Sequence, residues 1–295
     1  MRLFLLPVST KRTLIYCERV PEAILAAGTK PPWSEQIINR ASKTWMGWEK
    51  AEKGWQKQLT VYGNKLFRRI PFEEWGLKSL PAATQKRLED VDQGRMKFEC
   101  VFPSKFVREG RVSEILKKLA TERQALHRQR MWTCIALMPV SAPFTLVPVI
   151  PNIPFFYLCF RAYSHYRALY GSRLLDHLVT KKLITSSPSS TLDEVYAAGI
   201  LKPADEAAKV APSISSAEVE EAVAKIESQD AGGKGEEAML LQSWNGRVLA
   251  ESYQLPEMEI EIERAVEQVE KAIQTAKEKA GSAVQPESKG EEIKR

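Results

Sequence analysis

The chain has 295 residues, 44% of them hydrophobic and 27% charged, with a formal net charge of +6, which is enough to bury one large core or two ordinary ones and excludes a wholly disordered polymer. The charge is unevenly placed: residues 1–185 carry 31 Lys/Arg against 15 Asp/Glu, a net of +16, and residues 186–295 carry 12 against 22, a net of −10. A basic front on this scale suits anionic surfaces, and the four cysteines, Cys17, Cys100, Cys134 and Cys159, stand at no metal or CxxC spacing, so a disulfide framework is not expected.

The start, MRLFLLPVST, is too short an apolar run for a secretory signal before Lys11 and Arg12. The runs RLFLLPV and TLIYC, separated by the polar residues 9–12, read as two strands around a turn; a cleaved mitochondrial targeting helix, for which Arg2, Lys11 and Arg12 precede the first acid, Glu18, is the competing reading. After Pro31 and Pro32, with Ser34 as a helix cap, the positions Ile38, Ala41, Trp45, Trp48, Trp55, Leu59, Tyr62 and Leu66 recur at helical spacing. The other faces are rich in lysine and arginine, so this amphipathic helix either packs its tryptophans or lays Trp45, Trp48 and Trp55 in a membrane interface. Punctuation by Pro71, Gly76, Pro81 and Gly94 follows, with a short helix near 84–92, and then MKFECVF at 96–102 alternates as a third strand. The expected sheet is small and antiparallel.

Ser113 is read as the cap of a helix through Ile115, Leu116, Leu119 and Leu126 that runs into residues 131–160, thirty residues without a charge between Arg130 and Arg161. Length alone would allow a membrane span of about 20 residues. Pro139, Pro143, Pro148, Pro151 and Pro154 forbid one straight helix, because an interior proline removes a donor and costs about 3 kcal/mol. The reading is therefore two helical arms, the first ending at Pro139 and the second starting at Asn152 and Pro154 and running to Gly171. Both ends carry basic flanks, which keeps both on one side of a bilayer and favours a shallow hairpin. Trp132, Phe155, Phe156, Phe160, Tyr163 and Tyr166, bracketed by Arg130, Arg161 and Arg167, are the candidate membrane-interface residues; a soluble core hairpin and one kinked span are the competing readings.

Residues 186–235, beginning in SSPSST and including GGKGEE, read as a flexible acidic linker, and 236–295 as a partly disordered acidic helical tail. Two helices are expected in the tail, near 236–253 and 257–280; the second places Ile262, Val266, Val269, Ile273 and Ala276 at heptad spacing, as in a coiled-coil or partner-docking helix. The fold class is thus α+β, mainly α, with a basic membrane-associated domain over 1–185. Protein partners would be met through 236–280, and an oligomer is compatible with the pattern.

No phosphate loop, HExxH or nucleophile elbow occurs, so neither an enzyme nor a cofactor or metal site is expected. The three histidines, His127, His165 and His177, are read as surface or interfacial. From Glu122 to Asp176 there is no carboxylate, which counts against a cation path through the apolar stretch. Nucleic-acid binding would need base stacking on the tryptophan helix and is not favoured.

MRLFLLPVSTKRTLIYCE at the start and VIPNIPFFYLCFRAYSHYRALYGSRLL in the middle resemble the mitochondrial potassium/proton exchange-related proteins of fungi and plants. The resemblance covers most of the basic front. It implies an unprocessed start, a link to potassium/proton exchange across the mitochondrial inner membrane and hence to potassium and volume control, and no defined active residue. Taken with the missing carboxylates, it implies an accessory or regulatory component at the matrix face, bound to inner-membrane lipids, rather than the ion-translocating subunit. The alternative is a peripheral inner-membrane scaffold unrelated to transport.

Overall fold

The computed structural model describes residues 1–18, 53–146, 152–202, 214–231 and 237–283, with positions 40, 43, 44, 47, 48 and 50. The chain divides into two compact units: Met1–Leu5 with Ile15–Ser189, and Leu6–Leu14 with Ser190–Arg295.

The first unit is built on a four-stranded sheet in the order β2-β1-β3-β4, with β1 at Arg2–Pro7, β2 at Thr13–Cys17, β3 at Phe98–Phe102 and β4 at Ile184–Pro188. The first two strands form the expected hairpin; Val8 N–H donates to the Arg12 carbonyl and Glu18 N–H to that of Arg2. The expectation of an antiparallel sheet fails at the other two joins. β3 runs parallel to β1, pairing Glu99 with Arg2 and Val101 with Phe4, and β4 runs parallel to β3. The turn at residues 8–12 reverses β1 into β2, the helices between β2 and β3 bring the chain back in the direction of β1, and those between β3 and β4 form a crossover that keeps that direction. β4 has the sequence ITSSP and was expected as linker. Its residues are largely exposed, as suits an edge strand ending in proline.

One face of the sheet presents Leu3, Leu5, Ile15, Cys17, Phe98, Cys100 and Phe102 to a continuous core. Alternation of side chains in β1 and β3 puts these on a single side. Helices α1 (Trp55–Arg68), α2 (Phe72–Ser79), α3 (Gln85–Asp92), α4 (Glu109–Thr121), α5 (Gln124–Leu137) and α6 (Ile153–Thr180) follow in order in this unit, and Leu77, Val91, Val112, Leu116, Ala168, Leu174, Leu175 and Leu178 from α2, α3, α4 and α6 complete the core on that face.

Expectations for three helices are corrected here. The long tryptophan helix is interrupted, because Gly54 stands at φ 109° and α1 begins only after it; Tyr62 and Leu66, expected on its packed face, are exposed. Ser113 lies inside α4 rather than capping it, and the helix breaks between Thr121 and Gln124. Gly171 does not end α6, which continues to Thr180. It is a contact glycine: a Cβ there would stand 2.1 Å from the Leu77 carbonyl oxygen, so its absence lets α2 and α6 touch backbone to backbone.

The hairpin itself forms as read. α5 ends at Leu137, a 3₁₀ turn covers Pro139–Leu146, and Asn152 opens α6. Asn152 accepts from the Phe155 N–H at 3.0 Å and donates to the Ser141 carbonyl at 2.7 Å, so one side chain both caps the second arm and ties it to the turn.

In the second unit, helices α7 (Ser190–Leu201), α8 (Ser216–Ala231), α9 (Ser243–Tyr253) and α10 (Pro256–Ala283) follow in order. The stretch 186–235 therefore contributes to a strand and two helices. Met258, Ile262, Ala265, Val266 and Val269 are buried, and α10 packs along α9. Of the heptad positions, Ile262, Val266 and Val269 are buried inside this unit, Ile273 is half-buried and Ala276 is exposed; Gly246 of α9 lies against Ile262. The tip of the strand hairpin belongs here too: Tyr196 donates to the Pro7 carbonyl at 2.9 Å, and the Leu240 N–H donates to the Val8 carbonyl at 2.9 Å.

Candidate functional site

The polar feature that stands out in the first unit is buried between α2, α5 and α6. α2 carries Glu74, 2% exposed, in the sequence FEEW; α6 carries Arg161, Ser164 and His165 at i, i+3 and i+4, hence on one face; α5 supplies His127, also 2% exposed. Arg161 grips Glu74 with both arms, Nη1 to Oε1 at 2.8 Å and Nη2 to Oε2 at 3.1 Å, and the Ser164 hydroxyl donates to Oε1 at 2.5 Å. Burying a carboxylate raises its pKa, but the Ser164 hydroxyl and the Arg161 charge outweigh that here and hold Glu74 below its ordinary value.

The hydrogen bonds fix the histidines. A guanidinium only donates, so His165 Nε2, 3.0 Å from Arg161 Nη2, is an acceptor and the ring carries its proton on Nδ1. That Nδ1–H faces His127 Nδ1 at 3.1 Å. His127 must accept there and therefore carries its proton on Nε2, a buried atom with no hydrogen-bond partner. Both rings are neutral in this arrangement. Burial is the main cause that lowers each pKa, that of His165 to about 4, with Arg161 adding repulsion and Glu74 opposing it.

Among the described residues, Glu74, His127 and His165 form a cluster whose donor atoms lie within 4.8 Å of one another, the dimension of a metal site. Arg161 decides against that use. It occupies both Glu74 oxygens, and by making His165 carry its proton on Nδ1 it blocks the nitrogen that faces the other donors. The cluster is an ion pair extended by two neutral imidazoles. The reading of His127 and His165 as surface or interfacial is corrected, because they are drawn into the core where the two arms cross. His177 sits apart, its Nε2 2.7 Å from Asp92.

The candidate interface residues are distributed as follows. Trp132 and Phe156 are 59% and 62% exposed, Tyr163 and Tyr166 are exposed beside them in sequence on α6, and Arg130 is exposed on α5. Ile135, Leu137, Val140 and Ile153 join them as exposed apolar residues around the 3₁₀ turn. Phe155, Phe160 and Arg167 are partly buried; Phe160 packs on Phe67 of α1 at 4.8 Å, and Arg167 donates to the Lys78 carbonyl. Arg161 is not at a surface at all. Trp48 is helical and half-buried, Trp55 opens α1, and Trp45 lies outside the described residues. Among the described residues no helix is long and apolar enough to cross a membrane.

Fold and site together define a mixed sheet covered by helices, with an apolar-tipped helical hairpin locked at its base by a buried ion pair. The chain belongs to the mitochondrial K+-H+ exchange-related family, whose model matches residues 2–179, a range that takes in the hairpin and every member of the buried cluster. An uncharacterized protein of Schizosaccharomyces pombe is 33% identical over 197 residues, covering 66% of this chain and 82% of that protein. An uncharacterized protein of Saccharomyces cerevisiae is 22% identical over 200 residues, covering 61% of this chain and 62% of that protein. No solved structure matches.

Proposed function

We propose that this chain is an accessory or regulatory component of mitochondrial potassium/proton exchange, acting without enzymatic chemistry and seated on the matrix face of the inner membrane by the tip of its helical hairpin. The observation that carries this reading is the exposed apolar tip. Trp132, Ile135, Leu137, Val140, Ile153 and Phe156 are all exposed there, around a turn whose backbone is closed by Asn152 and Ser141. Scattered exposed apolar residues need no explanation, but this many on the two arms and the turn of one hairpin suit a surface for lipid or partner. Arg128 and Arg130, exposed on the approach to it, suit lipid phosphates, and the tryptophan and tyrosines suit the interfacial zone. Protein partners would approach the acidic outer surface of α10, where Glu257, Ile260 and Glu263 are exposed.

Flotation with vesicles containing anionic lipid tests the seat. The double substitution Trp132→Ala/Phe156→Ala should weaken vesicle binding at least about tenfold, since each buried aromatic is worth roughly 1.5–3 kcal/mol, with no change in folding stability. Binding that survives the substitution refutes the hairpin as anchor. Purified protein in potassium-loaded vesicles with a pH dye tests the accessory role, and exchange by this chain alone would refute it. A carbonate wash of mitochondria separates the embedded tip from a peripheral scaffold, which would be released.

A further inference from the structure

The buried network that locks the hairpin to α2 has no place for another proton. His165 Nε2 accepts from Arg161 and His127 Nδ1 accepts from His165, so each neutral ring already uses its one lone pair. A proton added to His165 sets Nε2–H against a guanidinium N–H across 3.0 Å, and a proton added to His127 sets two Nδ1–H groups against each other across 3.1 Å. A proton added to Glu74 removes the negative partner of Arg161 and spoils an acceptor that serves Arg161 and Ser164. The surrounding charges do not relieve this. Arg123 at the cap of α5, Arg161 of α6 and Arg130 of α5 all bear on the His127 ring as like charges, and Glu74 of α2 opposes them. Arg123 is engaged with Glu73 at 2.7 Å.

From this geometry we infer that the Glu74–Arg161–His165–His127 chain is a proton-operated latch: neutral histidines hold α2, α5 and α6 together, and uptake of one proton releases the helical hairpin from α2. The inference concerns the protein in solution and does not depend on the membrane reading.

The latch is tested on the full-length protein without lipid, by hydrogen exchange at about pH 7.5 and about pH 5.5, corrected for intrinsic rates. Acidification should reduce protection in α2, α5 and the first half of α6 at least about tenfold, the effect of a one-unit difference in proton affinity, while α10 keeps its protection. In His127→Gln/His165→Gln, which has no imidazole there to titrate, the change in α2, α5 and α6 should fall below about twofold. An unchanged wild type, or a variant that responds as the wild type does, overturns the proposal. If the double variant fails to fold, NMR of the wild-type histidine ring protons decides the question. The His127 and His165 signals should move only below the ordinary histidine range and together with the loss of protection, whereas titration with protection retained overturns the latch.

Discussion

Glu74 is the residue on which the hairpin base depends. It accepts three hydrogen bonds while almost wholly buried, and without its charge Arg161 would be a cation sealed in the core. Breaking one side of such a pair costs about 3–5 kcal/mol. Glu74→Gln, which keeps the shape and loses the charge, should therefore lower unfolding stability by that amount in a denaturant titration, whereas Glu73→Gln on the half-exposed Arg123 pair should cost under about 1 kcal/mol. The histidines set the sign of the pH response. Their folded pKa values are depressed, that of His165 from 6.5 to about 4, so as pH falls below 6.5 the unfolded chain takes up protons first and stability drops until the folded rings titrate. Glu74, held low from 4.5, adds a second loss below that value. Chemical denaturation across this range should show a decline beginning near 6.5, and a flat profile down to 5 would contradict the buried neutral pair.

At the scale of elements, the face that α6 turns to α2 is not the one its aromatic residues announce. Phe155, Phe156, Phe160, Tyr163 and Tyr166 read as interface residues of the second arm, and its packed face has no comparable local signal. Tyr163 and Tyr166 are exposed, and the buried face sets Ala162, Ser164, Ala168, Gly171 and Ser172 beside Arg161, His165 and the leucines Leu169, Leu174, Leu175 and Leu178. Small residues mark a face where backbones approach closely, and hydrophobicity alone undervalues them. Gly171→Ala should therefore be costly, because the new methyl group meets a carbonyl oxygen that belongs to a packed helix. A loss of about 1–3 kcal/mol is expected from the overpacking, measurable as a fall in Tm. Gly110→Ala in α4, where nothing lies within 4 Å, should be neutral or slightly stabilising.

At the scale of the whole molecule, the first strands serve both units, since Leu6–Leu14 group with Ser190–Arg295. Truncation at residue 189 would strip Leu6, Val8 and Leu14, each fully buried, of the segment they are grouped with. The truncated chain should aggregate instead of behaving as a separable basic domain, checked by its elution as a monomer or not. Tyr196→Phe is the gentler test: it leaves the Pro7 carbonyl without its donor and should cost about 1–3 kcal/mol.

The sequence by itself determined the elements whose signals are local. The β1–β2 turn, the alternating β3, the proline stop after α5, the Asn152 start of α6 and the heptad stripe of α10 each depend on residues a few positions apart, where propensity and spacing act directly. The uncharged run of 131–160 likewise announced a hairpin with an apolar tip. Tertiary structure alone decided what depends on distant pairs: the parallel pairing of β3 and β4, the use of the α10 stripe inside its own unit, and the meeting of Glu74 with Arg161 and His165 some 90 residues away. The gap between Glu122 and Asp176 contains no acid in the sequence, yet folding places one against it, because a buried arginine needs a carboxylate and takes it from whichever helix packs beside it.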